Sequence, residues 1–194
     1  GGSYQQEVDL LSLFKDVCSD YVQMCTVPQQ LPNLLDRAIR VAMSAHAPTC
    51  LIFPSDVLDL PYEAPQHAFK QVPSSLGVHM SSATPNSAGL HEAASLLNAG
   101  KKVAILVGQG ARGAADEVIA VADLLGAGVA KALLGKDVLP DDLPYVTGSI
   151  GLLGTTASYL MMRDCDTLLT VGSNFPYTQF LPELDQAKAI QIDH

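Results

Sequence analysis

Positive charge is scarce in this chain. Eleven Lys and Arg stand against twenty Asp and Glu, a formal net charge of -9. That balance argues against nucleic acid or an anionic membrane surface as a partner, because phosphate-bearing surfaces demand Lys and Arg. Long apolar runs are missing too: none approaches the roughly 18 residues that a membrane-crossing helix requires. No basic stretch followed by an apolar one opens the chain, so no secretory signal is expected. Cysteine is limited to positions 18, 25, 50 and 165 with no C-x-x-C pair, and the five histidines are scattered. This spacing speaks against a metal site. Cys50, in an apolar run, and Cys18, in an amphipathic one, read as core thiols. A reducing, cytoplasmic setting fits such usage.

What is present is a globular composition, 48% hydrophobic and 16% charged. Its 194 residues suffice for one good core, or for one domain plus part of another. Residues 1 to 6 are rich in Gly, Ser and Gln and read as a frayed start. Residues 7 to 18 carry apolar positions at helical spacing, and residues 21 to 27 read as a strand. Residues 31 to 45 predict a helix, with Pro32 in its first turn and an apolar face of Leu34, Leu35, Ala38, Ile39, Ala42 and Met43. Pro48 stops it, and residues 49 to 53 form a buried strand, completing a β-α-β unit. Residues 61 to 86, with Pro61, Pro65, Pro73 and Pro85 among serines, have the composition of a partly extended linker.

The second segment restarts with a helix over residues 87 to 98, with Gly100 as its expected C-cap. Val103 to Val107 is a continuous apolar run, the habit of a parallel strand buried on both faces. It leads into Gly108-Gln109-Gly110-Ala111-Arg112-Gly113 and then a helix over residues 114 to 125. Strand, G-x-G-x-x-G and helix in that order make a nucleotide-site candidate, with the helix N-terminus offering N–H groups to a phosphate. A further strand begins at residues 126 to 130. A glycine-rich stretch covers residues 145 to 154, followed by a helix over residues 155 to 163. Strands at residues 167 to 171 and 189 to 192 complete the segment. This alternation predicts an α/β fold: a Rossmann-like, mainly parallel sheet with helices on both faces, preceded by a partial α/β segment.

An ordinary NAD site also wants an acid at the tip of the second strand. Here that strand ends near Lys131, and the first acid beyond it is Asp137, so the NAD reading is disfavoured. Glycine turns at successive strand ends, together with Asp193, favour a ligand site over tight turns alone. Arg112 reads either as a partner for a ligand phosphate or as a solvated residue at a helix start. Asp193 reads as an acceptor for ribose hydroxyls or as a strand-end turn residue. Phe175 and Tyr177 either flank a planar ring or pack their own loop.

In several runs the sequence resembles thiamine diphosphate-dependent enzymes, and among them the pyruvate oxidase branch. These are Thr49-Cys50-Leu51-Ile52-Phe53-Pro54-Ser55-Asp56-Val57, Val103-Ala104-Ile105-Leu106-Val107-Gly108-Gln109-Gly110 and Thr147-Gly148-Ser149-Ile150-Gly151-Leu152-Leu153-Gly154. Val171-Gly172-Ser173-Asn174-Phe175-Pro176-Tyr177 and Gln191-Ile192-Asp193 follow in the same order. The resemblance implies that residues 1–60 are the C-terminal part of a pyrimidine-binding domain, 61–86 a linker, and 87–194 a central domain of FAD type. It carries FAD contacts onto Ile150, Gly151, Leu152 and Leu153, onto Ser173, Asn174, Phe175, Pro176 and Tyr177, and onto Asp193 near the adenosine end. Gly108 and Gly110 join them as strand-end glycines beneath the cofactor.

No catalytic residue and no metal ligand is expected in this chain. The family's catalytic glutamate lies upstream of the matching region, and its G-D-G…N motif for Mg²⁺ and diphosphate belongs to a third domain. The chain is therefore expected to be inactive alone. Its partners would be the remaining domains of a homo-oligomeric parent that decarboxylates pyruvate on thiamine diphosphate and passes electrons to FAD. Two alternatives stay open: an acetolactate-synthase-like carboligase with structural FAD, and a cofactor-free scaffold domain.

Overall fold

A computed structural model describes residues 4–64 and 84–193. Residues 1–3, 65–83 and 194 lie outside the described residues, and with them part of the expected frayed start and most of the expected linker. The chain divides into two compact units, Gly1–Ser82 and Ala83–His194.

The first unit holds α1 (Leu10–Phe14), β1 (Val22–Met24), α2 (Leu31–Ala45), β2 (Cys50–Ile52) and α3 (Ser55–Leu58). α1 is shorter than its apolar spacing predicts: Asp9 caps it by accepting from Ser12 N, and beyond Phe14 the chain continues as turns, with Lys15 still helical and Cys18 N donating to Phe14 O at 2.9 Å. α2 keeps its expected bounds. Pro32 sits in its first turn and His46 ends it in a left-handed conformation, φ 50°. β1 and β2 pair in parallel, Val22 opposite Cys50, on either side of α2 in sequence.

The second unit is a five-stranded, wholly parallel sheet. Its strands are β3 (Val103–Val107), β4 (Gly128–Lys131), β5 (Val146–Ser149), β6 (Thr167–Val171) and β7 (Lys188–Ile192), in the order β5-β4-β3-β6-β7. Side chains alternate across it, as the two-residue period of a strand requires. Ile105, Val107, Val129 and Leu169 face one layer, where α5 (Ala115–Leu125) packs through Val118 and Ala122. Leu97 of α4 (Ser87–Ala99) joins that layer. Ala104, Leu106, Ala130 and Leu168 face the other layer, covered by Met162 of α6 (Thr156–Asp164). This is the expected α/β arrangement, a Rossmann-like sheet with helices on both faces.

One glycine does different work from that expected. Gly126, read as the start of a strand, ends α5 in the left-handed region at φ 60°. Gly100 caps α4 as expected, its N–H donating to Leu97 O, but with an extended backbone at φ -65°. There a Cβ would lie 2.6 Å from Thr167 Oγ1.

Candidate functional site

The strand order reverses direction between β3 and β6, and parallel sheets bind ligands at the carboxyl ends of the strands beside such a switch point. Here the loops after β3 and β6 interlock. Gly108 N donates to Val171 O at 2.9 Å, and Gly110 N donates to Gly172 O at 3.0 Å. A Cβ on Gly108 would overlap Gly172 O, and one on Gly110 would lie 2.8 Å from Gly172 Cα. Gly135, in the loop after β4, presses from beneath, where a Cβ would be 2.7 Å from Val107 O. The glycines of the G-x-G stretch are thus required by loop-on-loop packing, and this packing forms the floor of the site.

One flank is the loop after β5. Thr147 Oγ1 donates to Val129 O at 3.1 Å and lies 2.8 Å from Ser158 Oγ. Thr155, the N-cap of α6, accepts from Ser158 N and donates to Thr147 O at 2.7 Å. This hydroxyl network pins both ends of the loop 148–154, whose tip exposes Leu152 (79%) and Leu153 (87%). Gly151, with φ 114°, faces Phe175: a Cβ there would sit 3.6 Å from Phe175 Cζ. Phe175 in turn meets Tyr177 edge-on, with ring centroids 5.4 Å apart. On the β7 side, Gln191 Nε2 donates to Ser173 O at 3.3 Å and to Asn174 Oδ1 at 3.2 Å, and reaches Asp193 Oδ2 at 3.4 Å. β7 and the loop after β6 are thereby tied together.

The β4 side carries the charges. Lys131, at the end of β4, has a side chain with 0% exposure. Its Nζ donates to Leu139 O at 2.7 Å and pairs with Asp141 Oδ1 at 2.5 Å. Lys136 pairs with Asp141 Oδ2 at 2.8 Å. Hydrogen bonds from Lys131 and then Lys136 favour the charged carboxylate and lower the Asp141 pKa to about 2. Arg112 donates from Nε and from its terminal nitrogen to Asp137, and also to Leu134 O at 3.2 Å. Its hydrogen bond holds the Asp137 carboxyl below the usual carboxylate range.

These loops enclose one cavity of about 1210 Å³ that touches the ends of all five strands. Four inter-strand spacings make the sheet edge roughly 19 Å wide. The cavity brings together Gly108, Gly110, Ile150, Gly151, Leu152, Leu153, Ser173, Asn174, Phe175, Pro176, Tyr177 and Asp193. Lys136, Asp141, Leu133 and Leu134 also line it, although nothing in their local sequence marks them. Arg112, read either as a phosphate partner or as a solvated residue, is not among the lining residues; 55% exposed, it joins the loops after β3 and β4. The start of α5 lies away from the cavity as well, and Asp116 and Glu117 in its first turn already answer the helix dipole. A phosphate in this cavity would lie by the glycine floor, away from that helix.

Among the described residues, no group of three or more His, Cys, Asp or Glu is placed to hold a metal, and no helix is long and apolar enough to cross a membrane. The four cysteines are free, and burial raises the Cys165 thiol to about 11.

Residues 90–194 match the central domain of thiamine pyrophosphate enzymes. The chain belongs to this family. Three relatives of the thiamine pyrophosphate enzyme chain illustrate its range. It is 37% identical to an uncharacterized 42.6 kDa protein of Pseudomonas amyloderamosa, over 100% of this chain and 47% of that one. It is 33% identical to a Bacillus subtilis protein named "Putative thiamine pyrophosphate-containing protein YdaP", over 100% of this chain and 32% of that one. It is 28% identical to a "Probable acetolactate synthase large subunit" of Methanocaldococcus jannaschii, over 100% and 33%. The chain thus spans from about a third to about a half of the length of these relatives.

Proposed function

We propose that this chain is the cofactor-holding part of a thiamine diphosphate-dependent 2-oxo acid oxidase of the pyruvate oxidase kind, and that its cavity takes FAD. The observation that carries the reading is the slot across all five strand ends. Its length suits an extended dinucleotide better than a single nucleotide, and its middle is a glycine floor against which a diphosphate can lie close. The exposed Leu152 and Leu153, with Phe175 beneath Gly151, form an apolar bed for a planar ring. Asp193 stands at the β7 end as an acceptor for ribose hydroxyls. When bound, FAD supplies an electron acceptor; the chain's own residues hold and orient it. Thiamine diphosphate, Mg²⁺ and the carbon chemistry belong to other domains of a homo-oligomeric, cytoplasmic parent, and the described chain alone is inactive.

Titrating the purified chain with FAD tests this reading. The expected result is a shifted flavin absorbance and quenched fluorescence at micromolar concentration. Unchanged spectra up to high micromolar FAD would instead favour a cofactor-free scaffold domain.

The likeness to an acetolactate synthase subunit supports a second reading, a carboligase in which the flavin is structural. The product of the full gene separates the two. An oxidase consumes pyruvate with reduction of a quinone or oxygen, whereas a carboligase forms acetolactate without either acceptor.

A further inference from the structure

In NAD-binding sheets an acid at the tip of the second strand grips a ribose. At that tip this chain has Lys131, whose ammonium is fully buried and cannot meet a ligand. The same ammonium, held by Leu139 O, pairs with Asp141, ten residues further on. Asp141 lines the cavity with its side chain 59% exposed. A carboxylate is thus returned to the β4 flank by a buried cation.

Its chemistry suits an acceptor. A carboxylate offers about four lone-pair sites. Lys131 engages one oxygen and Lys136 the other, which leaves capacity for a ligand. The low pKa keeps it ionised at any working pH, where it accepts and does not donate. Two lysines against one carboxylate leave the cluster at one net positive charge, so it does not repel a diphosphate lying at the neighbouring glycines.

Order along the sheet edge decides what it accepts from. Asp141 stands on the β4 flank, the glycine floor lies between β3 and β6, and Asp193 closes the β7 end. Acid, glycines, acid is the complement of sugar, diphosphate, sugar. On the flavin reading above, on which this inference rests, Asp193 takes the adenosine side. We infer that Asp141, aimed by Lys131, accepts hydrogen bonds from the hydroxyls of the flavin-side polyol.

Fluorescence titrations with FAD, riboflavin and lumiflavin, which keeps the ring but lacks the polyol, test the assignment on the wild-type chain and on Asp141→Ala. Loss of a charged acceptor weakens FAD and riboflavin about tenfold and leaves lumiflavin unchanged. Asp141→Asn keeps the shape with one acceptor oxygen; it is expected to lose about threefold on FAD and riboflavin and nothing on lumiflavin, and it serves should the alanine variant fold poorly. Wild-type affinity for riboflavin in both variants overturns the inference, and so does an equal loss for lumiflavin. If the wild-type chain binds none of the three, the flavin reading itself falls, and this inference falls with it.

Discussion

Lys131 places an ammonium where no water reaches it, with one carbonyl and one carboxylate as partners. Such a charge is tolerated only when paired, and the same volume filled by an apolar chain can be nearly as stable. Two substitutions separate packing from pairing. Lys131→Ala removes the stem and leaves a void beneath the loop after β4, with an expected loss of about 3 kcal/mol in urea unfolding. Lys131→Met refills that volume without the charge and is expected to lose much less. The partner has a signature in acid. Asp141 drops from 3.8 to about 2 because the lysines favour its charged form. A depressed folded pKa stabilises above the unfolded value, and this contribution disappears as pH falls from about 4 towards 2. Thermal midpoints measured between pH 5 and pH 2 should fall more steeply for the wild-type chain than for Asp141→Ala.

Among the elements, two glycines with the same φ make opposite demands. Gly126 and Gly172 both have φ 60°. A Cβ on Gly126 would meet nothing within 4 Å, whereas one on Gly172 would overlap Ala111 N and Gly110 C. Gly126→Ala should therefore cost only the left-handed backbone, about 1–2 kcal/mol. Gly172→Ala adds a backbone collision between two loops and should lose at least about 3 kcal/mol, read as the shift in urea midpoint. This contrast also marks how far the elements are legible. β3 reads correctly because Val103 to Val107 are apolar on both faces, and α2 because Pro32 and six apolar positions agree. α1 reads too long because Val8 and Cys18 happen to fit the helical period. At the candidate site, the stretches after β5 and β6 announce themselves through their glycines and aromatics. Asp141 does not, because its place is set by Lys131 across a loop, and no local spacing encodes that. Arg112 reads two ways for the same reason: its partner Asp137 lies 25 positions away.

Across the whole molecule, the two units differ in what they can sustain. The second has a sheet buried on both faces, with Ile105, Val107, Val129, Ala130 and Met162 excluded from water. Among the described residues, the first holds two three-residue strands and one long helix, and Leu35 and Met43 on that helix remain 47% and 43% exposed. Two-stranded sheets are marginal alone. Residues 84–194 expressed separately should therefore melt cooperatively by circular dichroism, whereas residues 1–64 should give no cooperative transition.

The interlocked glycines after β3, β4 and β6 carry a consequence for how such a site can diverge. A side chain introduced on any one of these loops forces its neighbours to retreat, so single replacements are strongly epistatic. The loop after β5 has its own close approaches, Gly148 against Thr155 and Gly154 against Ser149 O, but these stay within the β5–α6 connection. Relatives that change ligand, or abandon one, are expected to have done so from the flanks inward, with the central keystone inherited long after its original guest has gone.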